Sequence, residues 1–117
     1  MCREVAECIF CKIVAKEIPA QIVYEDKDVI SFKDINPMAP VHLLIIPKKH
    51  YQDLTTAAPA DESLLGHIMA VAQKLAVEHG IAESGYRVVA NNGLDAGQIV
   101  DHLHFHLIGG HLLPDFA

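Results

Sequence analysis

The sequence predicts an α+β domain: an antiparallel sheet of about five strands, one long helix and one short N-terminal helix. Three observations predict it. Five segments of strand length, 21–25, 29–33, 42–47, 86–90 and 100–108, are rich in branched and aromatic residues and separated by turn residues. One segment, Asp61 to His79, carries apolar residues at helical spacing. The chain has 117 residues, enough for one core and too few for two ordinary ones, so a single domain over 1–117 is expected.

Each element follows from its residues. Glu7 to Lys16 places Ile9, Phe10, Ile13 and Val14 on one helical face, and Ile18-Pro19 is expected to end that helix. Gln21–Glu25 and Val29–Lys33 read as strands joined by the polar turn Glu25-Asp26-Lys27-Asp28. Asp34 to Pro40 contains two prolines and reads as a loop. His42-Leu43-Leu44-Ile45-Ile46-Pro47 is almost wholly apolar, the pattern of a central strand covered on both faces. Thr55 to Ala60 reads as a connector.

The long helix follows, with Leu64, Leu65, Ile68, Met69, Ala72, Leu75 and Ala76 as its apolar stripe. Asp61 and Glu62 suit the positive end of its dipole, and Gly80 sits where a C′ glycine belongs. His67 and His79 read as ordinary solvent-facing residues of this helix. Tyr86–Ala90 is a strand, Asn91 to Gln98 a turn-rich loop, and Gly109 to Ala117 an irregular tail.

Composition excludes several classes. Nine basic against fifteen acidic residues give a net charge of −6, which argues against a general nucleic-acid surface. No apolar run approaches the ~18 residues of a membrane span, and Met1-Cys2-Arg3-Glu4 lacks a signal-peptide layout. Three cysteines, two of them in Cys8-x-x-Cys11, do not make a disulfide framework. A reducing compartment, most simply the cytoplasm, is expected. Cys2 has no visible partner.

The chemistry concentrates in Val100 to Ile108. His102, His104 and His106 alternate with Leu103, Phe105 and Leu107, so on a strand the three imidazoles share one face. Imidazole serves as a metal ligand, or as a nucleophile and acid/base near neutral pH; a chance cluster of partly exposed histidines is the plainer alternative. The preceding loop carries Gly93 and Gly97, which permit turns whose N–H groups cradle phosphate, with Asn91 and Gln98 as neutral donors. A connecting loop would also be rich in Asn and Gly. Together, loop and histidines suggest a phosphate held over an imidazole nucleophile. The middle histidine is best placed to attack, while a flanking imidazole, if protonated, assists the leaving group. No metal is required at the phosphate. A second constellation is Cys8 and Cys11 with His50 and one of the three histidines, a donor set for a closed structural zinc site. Two buried thiols are the alternative; a redox reading lacks a preceding strand.

The residues His102-Leu103-His104-Phe105-His106-Leu107-Ile108 match the pattern His-φ-His-φ-His-φ-φ, with φ apolar. Through this motif the chain resembles the histidine-triad nucleotide-binding proteins over nearly its full length. Supporting stretches are Ile9 to Ile13, Glu17 to Ala20, Phe32 to Pro37, His42 to His50, and Asn91-Asn92-Gly93 through Gly97-Gln98. The resemblance implies a single histidine-triad domain over 1–117 that binds purine nucleotides and usually forms a homodimer. It implies His104 as the nucleophile at the α-phosphorus, His106 as partner at the phosphate and leaving group, His102 as the residue that orients the nucleophile, and His42 as a further pocket histidine. It implies Asp34 at the ribose hydroxyls, with Phe10, Ile13, Phe32 and Ile35 around the base and ribose, and Asn91, Gly97, Gln98 and Ile99 on the phosphate side. Simple core packing would also account for Phe10, Ile13 and Phe32.

His106 favours hydrolysis, because the nucleotidyl-transferase branch resembles this chain except for a glutamine there. The expected reaction is cleavage of purine nucleoside phosphoramidates or acyl-nucleotidylates to the monophosphate through a nucleotidyl-histidine. Alternatives are a dinucleoside polyphosphate hydrolase and a non-catalytic, zinc-stabilised nucleotide-binding or interaction module. Bacterial-type members with Cys-x-x-Cys imply zinc on Cys8, Cys11, His50 and His102. Ile99 stands where nucleoside phosphoramidases of the family resemble one another in serine. Asp101 and a tail without tryptophan also depart from relatives; these departures bear on substrate choice.

Overall fold

The structure, a computed structural model, describes residues 8–115. The expected helix start at Glu7, Cys2, and the last tail residues Phe116 and Ala117 lie outside them. The elements are α1 (Ile9–Val14), β1 (Ile22–Glu25), β2 (Val29–Lys33), β3 (Val41–Pro47), α2 (Leu54–Ala60), α3 (Glu62–Glu78), β4 (Tyr86–Val89) and β5 (Phe105–Gly109), with a 3-10 turn at Leu94–Ala96. The five strands form one antiparallel sheet in the order β1-β2-β3-β5-β4.

The near-continuous apolar run of β3 is explained by cover on both faces. Leu43 and Ile45 join Phe105, Leu107 and the Ile68, Val71 and Leu75 face of α3 in one core. Leu44 and Ile46 join Ile30, Phe32 and the α1 residues Phe10 and Ile13 in a second core on the opposite face. The histidines belong to that second face.

Helix ends are set by local bonds. Gly80 has φ +73; its N–H reaches Val77 O and the Ile81 N–H reaches Ala76 O, the paired bonds of a Schellman stop for α3. α1 ends in the same way: Lys16 has φ +64, its N–H bonds Ile13 O, and the Glu17 N–H bonds Lys12 O. The stop therefore falls two residues before the Ile18-Pro19 step that the sequence suggested. Met69, expected in the α3 stripe, is 40% exposed. His67 and His79 are partly buried and engaged. His67 bonds Asp26 at 2.7 Å and His79 Nδ1 bonds Leu75 O at 2.9 Å.

The expected connector 55–60 is helical. Asp53 caps it through Thr56 N–H, and Asn92, far along the chain, accepts from the N–H groups of Leu54 and Thr55. Those three bonds satisfy the open N–H groups of a helix whose residues alone signal it weakly.

Candidate active site and metal centre

The structure corrects the expected strand over 100–108. Ladder pairing begins only at Phe105, opposite Ile45, so His102 and His104 precede β5 and His106 alone lies within it. The alternation of faces persists, because Leu103, Phe105 and Leu107 all enter the α3-side core. The late start has a cause at the end of β3. Pro47 has no N–H, and its carbonyl is taken by His102 Nε2 at 2.9 Å. The Leu103 N–H bonds Tyr51 O at 2.7 Å. Side-chain and loop bonds thus replace the ladder where the histidines sit.

These bonds fix which ring nitrogen of each histidine carries a proton. A carbonyl only accepts and a backbone N–H only donates. His104 Nδ1 lies 2.8 Å from His102 O, so Nδ1 holds the hydrogen and, in the neutral ring, Nε2 holds the lone pair. The Met38 N–H donates to His42 Nδ1 at 3.0 Å, so the proton of neutral His42 is on Nε2. That Nε2 donates to His106 Nδ1 at 2.9 Å, which places the His106 proton on its own Nε2. Asp34 Oδ2 stands 3.3 Å from the same His42 nitrogen. Burial lowers the pKa of His42 and pushes His106 down to about 4, the latter reinforced by His104 and His42. Both are neutral at pH 7.

Phe10 packs edge-on against His104, His102 and Phe32, with ring centroids 5.2, 5.9 and 5.7 Å away. Phe10, Ile13 and Phe32 are all buried members of the second core, next to the imidazoles. Asp34 follows β2, fixed by its N–H to His42 O and by its carboxylate on Asn36 N–H. Ile35 and Ile99 are more than nine-tenths exposed. Asn91 is half-buried in the loop leading to the site.

Gln98 departs from the expected role of phosphate donor. Its side chain is turned inward: Oε1 accepts from Gly93 N–H, and Nε2 donates to Gln52 O and Val100 O. The N–H groups of Gly93, Ala96, Gly97 and Gln98 are likewise bonded inside the loop. Gly93 and Gly97, at φ +89 and +84, shape the turn. Sequence reasoning missed the Met38 N–H and the Pro47 and His102 carbonyls; backbone groups leave no residue-type signal.

The second constellation is brought together as expected. Ligand atoms of Cys8, Cys11, His50 and His102 lie within 4.8 Å of one another. His102 Nδ1 is 3.3 Å from Cys8 Sγ and 3.5 Å from Cys11 Sγ, and His50 Nδ1 is 3.0 Å from Cys11 Sγ. Because His102 Nε2 donates to Pro47 O, its Nδ1 offers a lone pair toward the sulfurs. Burial pushes the His102 pKa down to about 4 and lowers that of His50. Two sulfurs and two neutral imidazoles are a fitting donor set for a tetrahedral metal ion. Asp34, His42 and His106 also lie within 4.8 Å of one another. There the His42 Nε2 carries hydrogen and its lone pair is spent on Met38 N–H, so the trio is a hydrogen-bond network.

The chain as a whole is similar to known proteins. The HIT domain model matches residues 15–113. Protein HitA of Neisseria gonorrhoeae is 52% identical over 102 residues, covering 87% of this chain and 94% of that one. The crystal structure of a HIT family hydrolase from Legionella pneumophila has a TM-score of 0.90 at 48% identity, over 92% of this chain and 96% of that one. That of a histidine triad nucleotide-binding protein from Candida albicans has a TM-score of 0.80 at 39% identity, covering 95% and 85%. With the histidine motif, the sheet order and the family match in agreement, the chain belongs to the HIT domain family.

Proposed function

We propose that this protein is a nucleotide hydrolase that cleaves purine nucleoside phosphoramidates or acyl-nucleotidylates and releases the nucleoside monophosphate. The observation that carries this reading is the His104 Nδ1 to His102 O bond of 2.8 Å, which aims a lone pair at Nε2. In the first step His104 Nε2 bonds the α-phosphorus and the phosphorus–leaving-group bond breaks. The Nε2–H of His106 supports the charge that develops on the leaving group. Phosphate charge in the site favours protonation of His106, with Asp34 beside His42 ready to accept the His42 Nε2–H. The Nε2 proton departs with the leaving group and leaves a neutral His106 ring protonated at Nδ1. Water then displaces His104 from phosphorus, giving up a proton to His106.

Phe10, Ile13, Phe32 and Ile35 serve the base and ribose, and Asp34 the ribose hydroxyls. Asn91, with Gly97, Gln98 and Ile99 through the loop they form, serves the phosphate side. Cys8, Cys11, His50 and His102 would hold a zinc ion, which supplies a structural cross-link between α1, the end of β3 and the histidine segment. No metal is assigned to the phosphate. The hydrolase and nucleotide-binding names of the two structural neighbours support the reading. Residues 1–117 act as one histidine-triad domain. A homodimer is part of the proposal, supported by the β4 edge of the sheet. A cytoplasmic setting agrees with the two thiols that are not joined in a disulfide. Among the described residues no helix is long and apolar enough to cross a membrane.

The test compares turnover of adenosine 5′-phosphoramidate and diadenosine tetraphosphate by the same preparation. Faster release of monophosphate from the phosphoramidate is expected. Preference for the polyphosphate would move the protein to the dinucleoside branch. Binding of the monophosphate without turnover of either would leave a non-catalytic module.

A further inference from the structure

Cys8 and Cys11 meet the nucleophile through one residue. His102 offers Nδ1 to both sulfurs, at 3.3 and 3.5 Å, while its backbone carbonyl holds His104 Nδ1 at 2.8 Å. His102 is fully buried, yet its backbone lies outside the β5 ladder. It is therefore fixed by its imidazole contacts, by Pro47 O and by its neighbour's bond to Tyr51 O. Both cysteines are only part-buried, within reach of a small oxidant, and their sulfurs lie no more than 4.8 Å apart.

We propose that Cys8 and Cys11 are a reversible oxidation site whose state is read by the active site through His102. The co-reactant is hydrogen peroxide. One thiolate attacks the peroxide oxygen, the O–O bond breaks, and the departing hydroxide takes a proton to leave as water. The second thiolate attacks the resulting sulfenic sulfur, the S–O bond breaks, and hydroxide again leaves as water with a proton. Each sulfur loses one electron and the peroxide gains two. The Cys8–Cys11 disulfide that forms has no thiolate to offer a metal, so a bound ion is released. His102 Nδ1 then loses its partners, and the carbonyl that orients His104 loses part of its anchor. A thiol reductant together with the metal restores the first state.

This inference rests on the four-residue metal cluster, and its activity readout also rests on the proposed hydrolase reading. The experiment separates the two. The zinc-loaded protein in a Cys2→Ser background is treated with hydrogen peroxide, then assayed for thiols, for zinc release with a colorimetric chelator, for mass, and for turnover of adenosine 5′-phosphoramidate. Expected are the loss of both thiols without oxygen addition, stoichiometric zinc release, and a roughly tenfold drop in turnover that thiol plus zinc reverses. A Cys8→Ser, Cys11→Ser variant, checked for folding by circular dichroism, should start with the lowered turnover and ignore peroxide. Persistence of both thiols, or a disulfide that leaves turnover unchanged, would overturn the proposal. A preparation inactive before treatment but showing disulfide formation and zinc release would fail the hydrolase reading; a shift in the His104 imidazole NMR signals on oxidation then decides the coupling, its absence overturning it.

Discussion

The Nε2 of His42 stands 2.9 Å from the Nδ1 of His106, and the direction of that hydrogen bond is set by a third group, the Met38 N–H on His42 Nδ1. A backbone donor in the loop after β2 thereby decides which nitrogen of His106 points a proton into the site. In the proposed reaction His42 acts through His106, as a positioning residue. His42→Ala should lower kcat by about tenfold or more with a smaller change in KM, since orientation and not binding is lost. Steady-state kinetics on the phosphoramidate check this; a pure KM effect would place His42 in substrate binding instead.

Burial of neutral His106 makes stability depend on pH. Its folded pKa of about 4 lies below the ordinary 6.5, so the unfolded chain binds more protons between those values. The stability this contributes is full above about pH 6.5 and is lost as pH falls toward 4, amounting to about 3 kcal/mol as an upper figure. Urea unfolding at a series of pH values should show the decline. His106→Asn should reduce the slope over that window without abolishing it, because His102 is pushed down to about 4 as well, and an unchanged slope would assign the titration elsewhere.

Metal analysis of tag-free protein should find about one zinc per chain, falling sharply in a Cys8→Ser, Cys11→Ser variant. Removing the cross-link should also lower Tm by on the order of 10 °C. Wild-type protein purified without metal, or equal metal in the variant, would refute the site while leaving the hydrolase reading intact.

Gly110 follows β5 at φ +108, and a Cβ there would stand 2.8 Å from Pro40 Cβ. Pro40 belongs to the loop that carries Met38 and leads into His42. Gly110→Ala should therefore destabilise the fold by roughly 1–3 kcal/mol through strain and overpacking. Chemical denaturation measures it; the same stability as wild type would show that the loop yields.

Much of this was legible in the residues. The apolar run of β3 announced a strand covered on both faces, Gly80 announced the end of α3, and the spacing of Cys8, Cys11 and the histidines announced the metal cluster. The connector that proved to be α2 was illegible because Asn92, a distant residue, accepts from two of its N-terminal N–H groups through one side-chain oxygen. The late start of β5 was illegible because it depends on a missing N–H at Pro47 and on His102 bonding across to that carbonyl. Gln98 looked like a ligand donor because residue type does not reveal the direction in which an amide turns. His67 carries a similar lesson. With the N–H groups of Asp28 and Val29 and the Tyr24 hydroxyl it bonds Asp26; these bonds outweigh burial and hold the Asp26 carboxyl well below the usual carboxylate range.

Attack of His104 Nε2 on phosphorus is the step on which the proposed reaction turns. Wild-type and His104→Ala protein should be mixed with adenosine 5′-phosphoramidate, and release of the monophosphate followed beside binding of the monophosphate itself. Expected are rapid release by wild type, a loss on the order of 10³-fold or more in the variant, and monophosphate binding retained in both. Equal release by the two proteins would contradict that step.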